Sequence, residues 1–393
     1  ASGRLLNQSK SLSAQGVRAG AALTLEPLGE GASDMVYDDL TEAVGQVVER
    51  VSTPWTREDA RTLAALSAAG LVFVAALLLA TTPPDALTAL DPKAVTRYNV
   101  IAGAIGIVAA LLVTATSAVM TRKHPQASGI ALAHTVPFLT AASALRLSQS
   151  HWDTAGWGWT GLGLLIGSLA VLALPKRSRI SIAAPLVVGT VLAATGLLVR
   201  LGQLSQAGIS AILFALVIVL LQVAPWIALA HIPVRILDAD TTEQIPAKGI
   251  TDQISTSFMF VVALRAGGAI AALFLAVALM TAPETRSVSL PLTLIVLGAV
   301  SLVLQTRSIR ARVEVLLGAL TGLIVILVAA VLGAYADPRT MPWLTLSAIA
   351  TALVLVITNV VGPRARPHLT RIADTISVLS LFVLLPLAVY LWS

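Results

Sequence analysis

From residue 62 to residue 392 the chain alternates long apolar runs with short polar breaks. Eleven runs are long enough, at about twenty residues each, to cross about 30 Å of hydrocarbon as helices. They fall at 62–82, 98–120, 127–147, 156–174, 180–199, 206–230, 257–281, 287–305, 313–334, 341–361 and 372–392. The runs are continuously apolar, with none of the period-two alternation of a membrane barrel, so they predict helices. Most connections hold five to fifteen residues, too few for a second domain. The exception is 231–256, a polar stretch with four acids. The expected fold is an all-α polytopic membrane protein, with 62–392 forming one transmembrane domain.

The pattern differs before residue 62. Tyr37, Leu40, Val44, Val47, Val48 and Val51 recur at helical spacing, with Asp38, Asp39, Glu42 and Glu49 between them. This predicts an amphipathic helix of about four turns within a linker at 28–61. One reading lays that helix on the inner membrane interface. The other makes Tyr37, Asp38, Asp39, Leu40, Val44 and Val47 a docking surface for a cytoplasmic partner, because an acidic polar face suits anionic lipid poorly.

Composition narrows the class. Hydrophobic residues make up 56% of the 393, charged residues 12%, and mean hydropathy is +0.87. A soluble domain carries about 25% charged residues, so a water-soluble protein is excluded. Cysteine is absent, which removes disulfides, thiolate metal sites and cysteine nucleophiles. The net charge of +6 is unevenly placed: residues 1–60 hold five bases and nine acids, and the remainder holds 21 and 11. The basic excess lies in the membrane part, where topology accounts for it without nucleic acid.

Position gives that excess its meaning. With a cytoplasmic N-terminus, 19 of the 26 Lys and Arg fall in inner segments, five fall in outer ones, and Arg146 and Arg265 lie within spans. The asymmetry predicts an N-in orientation, and an odd number of spans then places Ser393 outside. Tyr98, Trp152, Trp157, Trp159, Tyr335, Trp343, Tyr390 and Trp392 fall at the expected outer interface, as an anchoring belt does. The sequence opens at Ala1 without Met or an apolar signal run, and is read as lacking its true beginning.

Chemistry inside the bilayer needs ionisable groups there, because charge is costly at that depth. Arg265 lies about three turns from the cytoplasmic end of its span, where it can snorkel, pack, or contact an anionic lipid or a partner. Glu314 and Asp374 fall at span starts, where an acid complements the helix dipole. His134, beside Pro137, is expected to bond a carbonyl freed at a kink. Gln222 and Asn359 suit interhelix hydrogen bonding. No HExxH, GxSxG or P-loop motif occurs, so no catalytic, cofactor or metal site is expected and the chain does not hydrolyse ATP by itself. Asp238, Asp240 and Glu243 are the only acids clustered as a transferase would need.

Close helix approach is better represented. Gly163 and Gly167, and Gly318 and Gly322, have the spacing that lets helices pack tightly, within one subunit or across a dimer. Prolines 137, 185, 225, 291 and 386 are scattered through the spans. They do not pair between halves as the broken helices of a transporter do. A secondary transporter or lipid flippase is the runner-up reading.

The first 26 residues carry a resemblance. Gly3-Arg4-Leu5-Leu6, Ser11-Leu12-Ser13, Gly16-Val17-Arg18-Ala19-Gly20 and Leu23-Thr24-Leu25 resemble the second half of a ubiquitin-like (β-grasp) fold, placed at 1–27. That half-domain, the linker with Tyr37-Asp38-Asp39 and Trp55, and the spans in this order resemble EccD. EccD is the polytopic inner-membrane component of type VII (ESX) secretion systems in mycobacteria and related actinobacteria. The resemblance implies a non-enzymatic scaffold that dimerises around a lipid-filled vestibule of membrane phospholipids. It also implies assembly with EccB, EccC and EccE, with residues 1–61 and 231–256 docking the EccC ATPase.

Overall fold

The structure, a computed structural model, describes Gln15 and residues 57–81, 92–123, 127–150, 152–172, 174, 182–230, 247–284, 287–306, 312–342, 344–346, 349, 353 and 366–392. The half-domain expected at 1–27 and the docking residues Tyr37, Asp38, Asp39, Leu40, Val44 and Val47 lie outside the described residues. The chain divides into two units, Ala1–Thr56 and Arg57–Ser393; the second is described here.

Its described residues are largely helical and include no strand. The helices are α1 (Arg57–Thr81), α2 (Pro92–Lys123), α3 (Ala127–Leu147), α4 (Thr154–Leu172), α5 (Ala183–Gly202), α6 (Gln206–Ala230), α7 (Ala247–Met280), α8 (Ser289–Gln305), α9 (Arg312–Ala336) and α10 (Arg366–Trp392). Among the described residues nine are long and apolar enough to cross a membrane; α8, at 17 residues, is shorter. Most of the run expected at 341–361 lies outside the described residues.

Helix ends depart from the apolar runs in a regular way. Helices α2 and α7 begin six and ten residues ahead of their runs at 98 and 257. Hydropathy marks only the stretch at hydrocarbon depth, whereas backbone hydrogen bonding continues into the polar flank. Residues 57–61, read with the linker, and 247–256, read with the polar loop, are therefore helical. Helix α5 starts at Ala183 and α8 at Ser289, which places Pro185 and Pro291 in first turns. A proline there removes no helical hydrogen bond, so neither interrupts its span. Pro137 and Pro386 do lie inside α3 and α10.

The helices form two groups. In the first, α3 packs against α1, α2 and α4, and α4 packs against α5. In the second, contacts run α6–α7–α9–α8–α10 and back to α6. Helix α5 joins the groups by packing on α7. The largest buried cluster fills the second group, with Phe214, Ile218, Leu275, Leu279, Leu294, Ile295 and Leu384 almost wholly enclosed.

Glycine sets the closest approaches. A Cβ on Gly163 would lie 2.6 Å from Ala141 Cα, and one on Gly167 would lie 2.6 Å from Pro137 Cα, both on α3. On the opposite face of α4, a Cβ on Gly161 would lie 2.7 Å from Ala193 Cα of α5, and Gly158 sits against Gly196. The 100° step per residue separates these faces, so one helix is gripped from two sides.

Candidate functional site

Polar groups inside an apolar bundle have to satisfy one another, and here they gather at two places. The first joins α6, α7, α8 and α9. Arg265 of α7 and Glu314, in the first turn of α9, form a buried ion pair, with Nη1 3.3 Å from Oε2. Beside it, Gln222 of α6 donates from Nε2 to Ser301 Oγ of α8 at 2.7 Å. Gln305 of α8 donates from Nε2 back to the Gln222 carbonyl at 3.2 Å. The side chains of Arg265 and Glu314 retain only 6% and 11% exposure.

This geometry revises several expectations. Arg265 turns inward to Glu314 and does not present its guanidinium at the surface of the chain, where a lipid or partner contact would need it. Glu314 is buried and paired with Arg265, which the dipole reading did not supply. Asp374 is exposed and lies in the third turn of α10, which starts at Arg366, too far from the N-terminus for the dipole to account for it. No spacing motif links Arg265 to Glu314, 49 residues apart, so sequence reasoning missed the pair. The only available signal was that both charges fall in the cytoplasmic halves of their apolar runs, Arg265 inside one and Glu314 at the start of the other.

The second polar cluster lies in the first group. Arg146, buried at the end of α3, donates through Nε to the Leu79 carbonyl of α1 and through Nη1 to Asn99 Oδ1 of α2 at 3.4 Å. It ties three helices together near their ends. His134 donates from Nδ1 to the Ile130 carbonyl at 2.6 Å. That oxygen is one turn back along α3 and is not the Ala133 carbonyl that Pro137 leaves without its helical donor. Trp157, expected in the interfacial belt, packs edge-on against Phe274 with ring centres 5.0 Å apart. Trp152 donates from Nε1 to Ala80 O at 3.1 Å.

The four glycines singled out from the sequence all face helices of this chain. Gly163 and Gly167 meet α3, as described. A Cβ on Gly318 would lie 2.8 Å from Thr306 Cγ2, and one on Gly322 would lie 2.9 Å from Ala299 O. Gly103, Gly161 and Gly189 make approaches as close but have no GxxxG spacing to announce them.

Between α2 and α4, floored by α3, runs an open groove of about 540 Å³. Ile107, Leu111, Leu147, Trp159, Leu162 and Ile166 line it, with few polar atoms among them. The described residues include no group of three or more acids, histidines or cysteines placed to hold a metal ion.

Ten apolar helices among the described residues, buried charges held by partners within the bundle and an apolar groove between spans define a multi-pass helical membrane protein. The chain belongs to the EccD family: the model of the EccD-like transmembrane domain matches residues 60–393. That is the family which the order of parts along the chain resembles. No curated protein sequence matches the chain. Among solved structures it is similar to a chain of a structure described as protomer 1 of the ESX-3 core complex. The two share 17% identity with a TM-score of 0.64, covering 93% of this chain and 82% of that one. It is also similar to a chain of the MycP5-free ESX-5 inner membrane complex, at 15% identity and a TM-score of 0.57, covering 82% and 78%. These likenesses establish a shared fold.

Proposed function

We propose that this protein is a non-enzymatic scaffold subunit of a type VII secretion complex in the bacterial inner membrane. Membership of the EccD family over 60–393 carries the reading. The shared fold with chains of ESX-3 and ESX-5 membrane complexes supports it. In this reading eleven spans cross the membrane with the N-terminus in the cytoplasm and Ser393 in the periplasm. Two copies pair to enclose a lipid-filled vestibule, and EccB, EccC and EccE assemble around them. Residues 1–61 and the 231–256 segment dock the EccC ATPase.

The physical support is the state of the buried charge. A transport pathway keeps ionisable groups where a substrate can reach them, whereas Arg265 and Glu314 neutralise each other and Arg146 is held by Leu79 and Asn99. Phospholipid tails suit the groove between α2 and α4, whose lining is largely apolar. Because Gly163, Gly167, Gly318 and Gly322 are engaged within the chain, the dimer forms through other apolar faces. Native mass spectrometry of the full complex, drawn from its own membranes on a tag at Ser393, tests the reading. Two copies with an ATPase subunit and bound phospholipid are expected. A lone monomer with no ATPase co-eluting would overturn it.

A further inference from the structure

Arg265 is incompletely satisfied. Its Nη1 meets Glu314, but Nε and Nη2 are buried and have no hydrogen-bond acceptor among the described residues. Leaving two donors of a charged group unmade in an apolar bundle is costly, at least as much as losing a buried hydrogen bond. The same guanidinium borders a cavity of about 20 Å³, with Leu221, Leu302, Gln305, Leu317, Gly318 and Thr321 as the other walls. A single water needs about 10–15 Å³ on this measure and two to four polar partners. Arg265 supplies donors, and Gln305 and Thr321 stand in the same wall; the Thr321 hydroxyl donates to the Leu317 carbonyl and keeps its capacity to accept.

We infer that this cavity is a built site for one ordered water, held by Arg265 and shared with Gln305 and Thr321. Glu314 already neutralises the guanidinium, so the site calls for a neutral acceptor and not an anion, and its volume is too small for a phosphate headgroup. The water completes a polar node spanning four helices. It lies against the Arg265–Glu314 pair on one side and, through Gln305, against the Gln222–Ser301 pair on the other. Helix α7, which carries Arg265, runs unbroken from Ala247.

X-ray hydroxyl-radical footprinting read by mass spectrometry tests this on the full-length protein in lipid nanodiscs, because radicals born from a bound water label the side chains around it. Leu221 and Leu302, 4% and 3% exposed, line the cavity; Leu275, Leu294 and Leu384, at 0%, do not. Leu221 and Leu302 should be labelled several-fold faster than those three. The cavity-filling variant Thr321→Leu should remove the difference while the protein elutes as before. Equal labelling of all five leucines in the unaltered protein would overturn the inference, whether or not the variant folds. So would unchanged labelling in a folded Thr321→Leu protein.

Discussion

A buried charge is stable only with its partner, and Arg265 and Glu314 show what that asymmetry predicts. Taking one member away leaves the other uncompensated in a low-dielectric bundle, at a cost of about 3–5 kcal/mol. Replacing both with apolar residues of similar volume is often neutral or stabilising. Arg265→Met and Glu314→Leu should therefore each lower the unfolding midpoint of the solubilised protein, and the double variant should recover most of the loss. Additive losses would show that the two side chains do not interact. Hydropathy places Arg265 within one apolar run and Glu314 at the start of another but says nothing of which helices meet. The pair, like the bonds of Arg146 to Leu79 and Asn99, exists only once the bundle has formed.

At the scale of the helix, much more was legible. The run at 206–230 coincides with α6, and 127–147 coincides with α3, because both ends of each run are marked by polar or turn-forming residues. The early starts of α2 and α7 were not legible, since a polar first turn looks like loop to any hydropathy measure. Packing partners were hidden for a related reason. Gly163-xxx-Gly167 announces one close face of α4, but Gly158 and Gly161, three residues apart, grip α5 without a recognised motif. A matched pair of substitutions separates packing from propensity. At Gly161 an added methyl meets the backbone of Ala193, so Gly161→Ala should cost about 1–3 kcal/mol through overpacking. Nothing lies within 4 Å of a Cβ on Gly70, on exposed α1 surface. There the same change should be neutral or favourable by up to about 1 kcal/mol. Equal effects at both sites, measured as thermal midpoints in one detergent, would remove the α4–α5 contact as the cause.

For the whole molecule the decisive quantity is orientation, which rests on the distribution of Lys and Arg. The absence of cysteine makes it directly measurable, because any introduced thiol is the only one in the chain. Cysteines at Gln126, Ser178 and Ser308 belong to segments expected on the cytoplasmic side. Cysteines at Ser150, Thr285 and Ser393 belong to segments expected outside. In intact cells a membrane-impermeant maleimide should label the second set and reach the first only after permeabilisation. The set at Ser150, Thr285 and Ser393 also tests the number of spans, because each reports a different interval of the chain. Labelling at Ser150 and Thr285 with protection of Ser393 would leave the orientation standing but require an odd number of crossings after Thr285 in place of the four expected, and hence a non-spanning run at 341–361 or elsewhere in that interval. Labelling of Gln126 with protection of Ser150 would instead reverse the orientation. It would also move the 231–256 segment to the side where a cytoplasmic ATPase could not reach it, and the proposed docking role would fall with it.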